Sequence, residues 1–351
     1  MGKFLFMKDV KYLFAYIIPL SAFLGVHERG AYLFLPMVIT FVLIPIVEGI
    51  LPVLKENHAP EREEARSGVR FFDWLLYSHL PILYGLLGYG FYTIKTQYLS
   101  PVELLGMISA LGLVASGFGI NIGHELGHRA KGYEQTLAKA LLLPSLYMHF
   151  FIEHNLGHHK NVATDLDPAS ARRGETVYAF WVRSVWDGYW GAWRLEGERL
   201  RRVMGLGTAF RVALQNEMVW FQVMQLVYLG VVGLCFGWMA LGVAVSVAVF
   251  SFLVLETVNY IEHYGLRRTL LATGRYEPVS PGHSWNSDHQ LGRIFLYELT
   301  RHSDHHYKST RKFQVLRHFE ESPELPMGYP ASMIMSLLPP LWFWVMDRRL
   351  E

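Results

Sequence analysis

Long apolar runs separated by short polar stretches form the dominant pattern of this chain. A helix crosses a bilayer with about 20 apolar residues, and six runs approach that length. Their ranges are 12–26, 31–54, 71–94, 102–122, 218–236 and 239–261, the last two being halves of one apolar stretch divided near Gly237. The pattern predicts six transmembrane helices, which places both chain termini on the same side of the membrane.

Two further apolar stretches are too short to span. The stretch 137–152 contains Pro144, so we expect it to dip into the helix bundle or to lie at its cytoplasmic end. The aromatic-rich stretch 331–346 precedes Asp347 and two arginines. That pattern is typical of a helix that lies at the membrane interface or caps a cytoplasmic domain.

Composition agrees with a membrane protein. Hydrophobic residues make up 52% of the chain and charged residues 18%, and the mean hydropathy is +0.20. The net charge of +2 gives no strong field for nucleic acid. A single cysteine, Cys235, excludes an internal disulfide and a four-cysteine iron–sulfur site within this chain. We predict an all-α integral membrane protein with one membrane-embedded catalytic domain, 1–351, in which segments 123–216 and 262–351 form a cytoplasmic helical domain.

Lysine and arginine positions test this topology, because cytoplasmic loops collect basic residues. With six spans, the predicted outer side carries only Arg29 and Lys95. The basic residues of the N-terminal tail and of the loop after the second span are Lys3, Lys8, Lys11, Lys55, Arg62, Arg66 and Arg70. The other 23 of the 32 basic residues lie in the two polar segments. We therefore predict a multi-pass protein of the cell inner membrane whose termini and polar segments are cytoplasmic.

The most distinctive polar stretch, His124-Glu125-Leu126-Gly127-His128, follows the fourth span. Residues four apart share a helix face, so the two imidazoles can hold one metal ion. Taken alone, the pattern H-E-x-x-H is typical of zinc proteases, in which the glutamate is the general base. An intramembrane zinc protease with one metal per chain and Glu125 as its base is therefore one alternative.

Seven more histidines lie in three further clusters. With the first pair, the candidate metal ligands are His124, His128, His154, His158, His159, His263, His302, His305 and His306. A zinc site closes at four ligands, so nine imidazoles suggest two metals. Imidazole does not name the metal, but a buried site at the end of an apolar bundle favours a redox metal that activates oxygen, and hence iron.

The other histidines are expected to be structural. Those that we expect to be hydrogen-bonded interfacial residues are His27, His58, His79, His149 and His318. His283 and His289 stay open between a structural and a functional role.

Carboxylates lie beside every cluster. A histidine that binds a metal normally donates its other ring nitrogen to an outer acceptor, which fixes its tautomer. The candidate acceptors are Glu125, Glu153, Asp165, Glu262 and Asp304. We predict this role for two or three of them, and the alternatives for each are a metal ligand or a surface ion pair.

The order of the histidine clusters resembles the histidine-box superfamily of membrane oxygenases and desaturases. The stretch 259–266, Asn-Tyr-Ile-Glu-His-Tyr-Gly-Leu, is similar to the membrane alkane monooxygenases rather than to the acyl desaturases. The resemblance covers nearly the whole chain. It implies two irons held by the nine histidines, six transmembrane helices, and hydroxylation of the terminal methyl of linear alkanes with O2 as co-substrate.

The resemblance also implies electron delivery from NADH through rubredoxin reductase and rubredoxin. Some family members carry rubredoxin as a fused C-terminal domain, whereas this sequence stops at Glu351, so we expect a separate rubredoxin or a removed domain. Rubredoxins are usually acidic, and this places the docking site near basic residues. The candidates are Arg301, Lys308, Arg311 and Lys312.

An alkane substrate sets its own demands on the site. It binds only through burial of its methylenes, at about 0.8 kcal/mol each, so the choice of the chain end requires a blind apolar channel open to the lipid. Val47, Ile50 and Leu51 of the second span are candidates for its lining by location.

Three other functions stay open beside the protease. An acyl desaturase would use the same histidine boxes but would form a double bond, and a hydroxylase of alkylbenzene methyl groups is closer still. A haem-binding or metal-binding transport subunit would place histidine pairs on facing transmembrane helices. The histidines here lie beyond the predicted spans, which argues against that last function.

Overall fold

The computed structural model describes residues 9–204 and 214–351. Within those ranges every regular element is helical, and extended backbone pairs only in two isolated bridges. The all-α prediction is therefore confirmed. Lys3 and Lys8, which entered the topology argument, lie outside the described residues, as does a short part of the predicted cytoplasmic segment 123–216.

We number the helices in chain order. They are α1 Val10–Glu28, α2 Gly30–Glu48, α3 Pro60–Ser67, α4 Arg70–Thr96, α5 Pro101–Gly127, α6 Gly132–Leu142, α7 150–161, α8 Val177–Met204, α9 Glu217–Phe236, α10 Trp238–His263, α11 Gln290–Phe295, α12 His302–Tyr307, α13 Tyr329–Ser336 and α14 Pro339–Met346. We join the turns that follow one another without a break in α1, α2, α5 and α7, and leave the other 3₁₀ turns unnumbered.

Five of these helices, α1, α2, α5, α9 and α10, are long and apolar enough to cross a membrane by length and composition. The chain is a membrane protein. The third predicted span is occupied by α4, a helix of 27 residues. It is long enough to cross but carries Arg70, Asp73 and Lys95 and is not among the five, so a count of six spans stays a prediction.

Two helices end five or six residues away from the predicted limits of their spans. The second span was expected to reach residue 54, but α2 ends at Glu48. Pro52 explains this early end, because a proline disfavours helical backbone in the residue before it. The fourth span was expected to end at residue 122, but α5 continues without a break to Gly127 and so carries the first histidine of the metal motif inside a helix.

The long helices alternate in direction, which separates two ends of the bundle. At one end, Lys95 Nζ in the last turn of α4 donates to the carbonyl of Cys235 in the last turn of α9, over 2.7 Å. At the same end, the backbone N–H of Gly30 donates to Glu103 Oε1 of α5, over 3.1 Å. The opposite end, where α5 and α10 finish, carries the histidines, and we call it the histidine end.

Close approach of helices in the bundle depends on two glycines. A Cβ at Gly112 of α5 would lie 2.5 Å from the ring of Phe250 in α10, and one at Gly106 would lie 2.7 Å from the side chain of Leu33 in α2. No real side chain fits at those distances. The glycines thus let α5 pack directly against α2 and α10, the helices that enclose the cavity described below.

Shorter helices cover the histidine end. The apolar stretch 137–152 forms the end of α6, a tight turn at Leu143–Ser145 and the start of α7. It packs on the bundle, since Tyr84 of α4 donates to the carbonyl of Ala140 over 2.8 Å. The stretch 331–346 forms two helices, α13 and α14, rather than one. Trp342 of α14 is fully buried while Trp344 is 58% exposed, so this helix covers the core with one face only.

Candidate metal centre

The metal motifs sit where two helices depart from regular α geometry. In α5 a π turn at Ala115–Ile120 precedes His124, and in α7 a π turn spans Glu153–His158. Such turns occur frequently at functional sites. The other contributors are the last residue of α10, His263, and the short helix α12.

All nine predicted histidines converge in two groups. The five-histidine group contains His124, His128, His154, His159 and His305, and the four-histidine group contains His158, His263, His302 and His306. Within each group, one ring nitrogen per residue lies within 4.8 Å of all the others. The sequence thus predicted all nine histidines, but it did not predict which of them belong to which group.

The Nε2 atoms are the ones that face one another. In the five-histidine group, His124 Nε2 lies 2.8 Å from His305 Nε2, and His159 Nε2 lies 2.9 Å from His154 Nε2. In the four-histidine group, the Nε2 atoms of His158 and His306 are 3.1 Å apart. Several ring nitrogens directed at one point is the arrangement that a cation with imidazole ligands requires.

Residues adjacent in sequence are divided between the groups. His158 belongs to the four-histidine group and His159 to the five-histidine group, and the same division separates His306 from His305. The rings of His159 and His306, one from each group, stack with centroids 4.4 Å apart. Because α7 and α12 each serve both groups, the backbone fixes the separation of the two groups.

Most of these imidazoles are neutral. Burial, reinforced by the neighbouring histidines, lowers the pKa well below its ordinary value for His128, His154, His159, His302, His305 and His306. A neutral ring offers the lone pair that a metal needs. The histidine clusters and the donor chemistry together indicate a metal site.

Asp167 is the carboxylate that holds a histidine from behind. Its Oδ2 accepts from His158 Nδ1 over 2.9 Å and from Ser170 Oγ over 2.5 Å. Burial alone would lower the pKa of His158, but the Asp167 carboxylate outweighs that effect and raises it. The bond directs Nε2 of His158 toward its group, as outer acceptors of metal-binding histidines do.

Asp165, the candidate acceptor in this segment, makes the surface ion pair that was its alternative, and Asp167 was not among the candidates. The Asp165 side chain is 75% exposed and pairs only loosely with Arg267, at 3.8 Å. The two aspartates stand in one Asp-Leu-Asp-Pro stretch after the second cluster. The turn after α7 directs Asp167 inward, and no sequence signal distinguishes it from its neighbour.

Glu262 lies beside the four-histidine group, as predicted, but on the inner side of the rings. Its Oε2 is 3.2 Å from Nε2 of His302, the nitrogen that also faces His263 at the same distance. Its Oε1 accepts from the hydroxyl of Tyr329 over 2.8 Å. The carboxylate therefore shares the space between the ligand nitrogens.

Glu125 and Asp304 make ion pairs instead of bonds to the histidine rings. Glu125 Oε1 accepts from Nη2 of Arg129 over 2.7 Å and from the backbone N–H of Phe313 over 3.2 Å. Asp304 is fully buried, binds Arg311 and accepts from the backbone N–H of Arg317 over 2.7 Å. Both braces hold the segments that carry histidines, and the pairing of Glu125 leaves it no role as a protease base.

Glu153 is buried between α7 and α8. Burial, and then the nearby Asp167, raise the pKa of Glu153 to about 8, which favours the protonated carboxyl. Gly157 of α7 leaves space for it, since a Cβ there would lie 2.8 Å from Glu153 Oε1.

The remaining histidines include two in structural networks, as expected. Nε2 of His79 lies 2.6 Å from the hydroxyl of Tyr297, and Nδ1 of His318 lies 2.8 Å from Asp288 Oδ2. Asp288, His318 and Glu324 also approach one another within 4.8 Å. That group already contains its cations, because Arg301 binds Asp288 at 2.8 Å and Lys55 binds Glu324 at 2.5 Å.

A mainly apolar cavity of about 120 Å³ leads from the bundle to the metal groups. Its residues nearest the histidine end include His124 and His154 of the five-histidine group and His302 of the four-histidine group. The apolar walls come from α1, α2, α5, α10, α13 and the segment around α11. Examples are Ile18, Phe41, Ile44, Leu113, Phe118, Val254, Phe295 and Met333.

The three residues proposed for the channel on α2 do not line this cavity. Val47, Ile50 and Leu51 are 40%, 79% and 37% exposed. The contribution of α2 comes one to two turns earlier, from Thr40, Phe41 and Ile44. Because α2 ends at Glu48, Ile50 and Leu51 are not on the helix at all.

Comparisons with known proteins agree along nearly the full chain. The sequence model of the fatty acid desaturase family matches residues 100–334. Alkane 1-monooxygenase 2 of Pseudomonas aeruginosa is 38% identical over 95% of this chain and 89% of that protein. The alkane 1-monooxygenase of Acinetobacter baylyi is 36% identical over 89% of this chain and 75% of that protein. The xylene/toluene monooxygenase hydroxylase component of Pseudomonas putida is 28% identical over 96% of this chain and 87% of that protein.

Proposed function

The chain belongs to the fatty acid desaturase family and, within it, to the alkane 1-monooxygenases, and from this premise we propose that it hydroxylates the terminal methyl of linear alkanes with O2 at two iron ions. The single observation that carries the proposal is the position of the nine imidazoles. They form two groups directly at the end of an apolar cavity. A metal pair is thereby presented to a substrate that has no polar group.

The donor set fits two irons. Imidazole is a good ligand for iron, and the five-histidine and four-histidine groups divide the ligands into two separate sites. When bound, two irons would supply the redox chemistry that activates O2. In the overall reaction the alkane C–H and the O–O bonds break, one oxygen enters the alcohol, and the other leaves as water with two electrons and two protons.

The protein's own part is to bind and orient the alkane and to exclude water. Each methylene buried in the cavity contributes about 0.8 kcal/mol, without preference for one position along the chain. Selectivity for the terminal carbon then follows from the cavity, because only its inner end contains His124, His154 and His302. The apolar walls also protect the reacting centre from water.

Metal content and product together test this function. We expect two irons per chain in detergent-purified protein, and O2-dependent formation of 1-octanol from octane when reduced rubredoxin is supplied. One zinc per chain and no alcohol, even after reconstitution with ferrous iron, would reject the proposal. An unsaturated product from an acyl chain would identify a desaturase instead.

Hydroxylation of alkylbenzene methyl groups is a second candidate, favoured by the similarity to the xylene/toluene monooxygenase component. Competition between octane and toluene in one reaction separates the two. Excess 1-octanol supports the alkane, and excess benzyl alcohol supports the aromatic substrate.

We propose rubredoxin, reduced by NADH through rubredoxin reductase, as the electron donor. Of the basic residues near α12, Lys308 is exposed and suits docking of an acidic protein, whereas Arg301 is buried and bound to Asp288. Lys308→Glu should slow reduction by rubredoxin but not by a small chemical reductant. Arg202→Glu, at a 78% exposed position on α8, is the matched control, and equal loss with both reductants would refute docking at Lys308.

We also propose that the chain is one domain in the inner membrane, with α4 as a sixth span and the histidine end in the cytoplasm. The partition of basic residues supports this orientation. The exposed Cys235, at the opposite end, gives a direct test. A membrane-impermeant thiol reagent should label Cys235 in spheroplasts, and should label Lys308→Cys in a Cys235→Ser background only after lysis. The reverse pattern would invert the topology.

A further inference from the structure

A small polar cavity lies beside the five-histidine group, separate from the apolar cavity. It encloses about 10 Å³, close to the smallest space that holds one water. Its polar lining consists of Tyr147, His149, Glu153, His154, Ser184, Glu256 and Asn259. Of the described residues that line it, none is a lysine or an arginine, so its carboxyl groups have no cationic partner there.

Glu256 is the centre of this cavity's hydrogen-bond network. It is 2% exposed and accepts from the Tyr147 hydroxyl over 2.8 Å and from Ser184 Oγ over 2.6 Å. Burial, and then the Glu256 carboxylate, raise the pKa of Tyr147 well above its ordinary value, so that hydroxyl keeps its proton and donates. A buried carboxyl next to water-sized polar space can take up and release protons.

Asn259 joins the polar cavity to the apolar one. Its Nδ2 lies 3.4 Å from Glu256 Oε2, one turn away on α10, and the Asn259 side chain lines both cavities. His154 and Phe150 line both cavities as well. The polar cavity thus opens toward the point where the apolar cavity meets the metal groups.

We propose that Glu256, through this cavity, is the proton-relay residue that carries solvent protons to the dimetal centre, and that Asn259 orients its carboxylate. The inference rests on the proposed O2 chemistry, RH + O2 + 2e⁻ + 2H⁺ → ROH + H2O. The electrons come from a one-electron iron–sulfur protein, one oxygen enters the C–H bond, and both protons leave in the water formed from the other oxygen. The apolar walls of the substrate cavity supply no such protons.

The outer wall of the polar cavity gives the route its entrance. Pro168 and Ala169 of the loop after α7 and Gly188 of α8 also line the cavity. Ala169 and Gly188 are buried, whereas Pro168 is partly exposed. The surface therefore lies nearest the cavity at Pro168, and the route for protons enters there.

Glu256→Gln tests the relay, because glutamine keeps the shape and can bond one hydroxyl as acceptor and the other as donor, but cannot exchange the proton. With iron content unchanged, we expect alcohol formation to fall about tenfold or more and the ratio of rates in H2O and D2O to rise. Glu256→Asp should restore most of the rate. The matched control is Glu134→Gln, which removes another buried carboxylate that accepts from a tyrosine, Tyr77, over 2.6 Å but lines neither cavity.

Several results would overturn the relay. One is a Glu256→Gln enzyme with a rate within twofold of wild type, and another is a rate loss matched by iron loss with an unchanged isotope effect. If that variant is not recovered folded, Gly188→Leu decides, since it fills the cavity and leaves Glu256 intact. An unchanged isotope effect in folded Gly188→Leu refutes the proposal. Absence of alcohol from the wild-type enzyme would instead reject the proposed function.

Discussion

The two histidine groups differ in what surrounds them. The four-histidine group has two carboxylates in contact, Asp167 behind His158 and Glu262 beside Nε2 of His302. The described contacts of the five-histidine group are mainly with other rings, such as Phe150 stacked on His154 at 4.6 Å. The difference shows that the two sites are unequal in charge. A divalent ion among neutral imidazoles keeps its full charge, whereas carboxylates offset part of it in the four-histidine group.

Removal of one ligand from each group gives the largest expected effect. His305→Ala and His302→Ala should each lose alcohol formation by more than the roughly 100-fold that loss of an outer hydrogen-bond partner can cause. Elemental analysis should show iron falling from two toward one, or below, in both variants. His79→Ala, outside both groups, is the control that should keep its iron, and retention of two irons by either ligand variant would break the assignment.

Asp167→Asn sharpens the comparison at a smaller scale. The substitution removes the negative charge behind His158, so we expect a loss of about 10- to 100-fold in metal affinity or activity, with the four-histidine site emptied first during titration with a chelator. Asp165→Asn is the matched control, because Asp165 is the same residue type two positions away and its side chain is exposed. Equal effects of the two substitutions would remove the distinction that we draw between these aspartates.

Asp304→Asn should have the smallest effect, and it should act on both groups alike. Asp304 braces α12 through Arg311 and Arg317, and α12 carries histidines of both groups. Loss of one partner of a buried ion pair is destabilising by about 3–5 kcal/mol when the other charge stays buried. Arg311 is only partly buried, so we expect a lower unfolding temperature and parallel, few-fold losses of both irons. Selective loss of one iron would contradict this brace.

The sequence was sufficient for the parts of the site that follow helical spacing. His124 with His128, and His302 with His305 and His306, share a helix face by position alone, and all nine candidates do meet. Hydropathy likewise located α9 and α10 within one or two residues. Sequence pattern and tertiary structure agree here because the residues that share one helix face are also the residues that point into the interior of the protein.

Features decided by turns and by contacts between distant segments were not predictable. Asp165 and Asp167 look alike until the loop after α7 directs one of them inward. Arg301 counts as a surface cation by sequence, but the structure buries it against Asp288. The apolar run continues through Ile50 and Leu51 to Pro52, so hydropathy placed the end of α2 beyond Glu48, and this misplaced the channel lining. Glu256 is the only charged residue of the predicted span 239–261, which marks it as a candidate functional residue, but its partners, 72 and 109 residues away, could not be predicted.

The division of adjacent histidines between the groups has a consequence for assembly of the enzyme. When an ion draws together His158 and His306, the same backbone segments bring His159 and His305 into position for the other ion. The first ion thus orders α7 and α12, and the second ion binds without that loss of conformational entropy. Metal uptake should therefore be cooperative. We expect iron-limited preparations to contain fully loaded and empty chains, with few that hold a single ion.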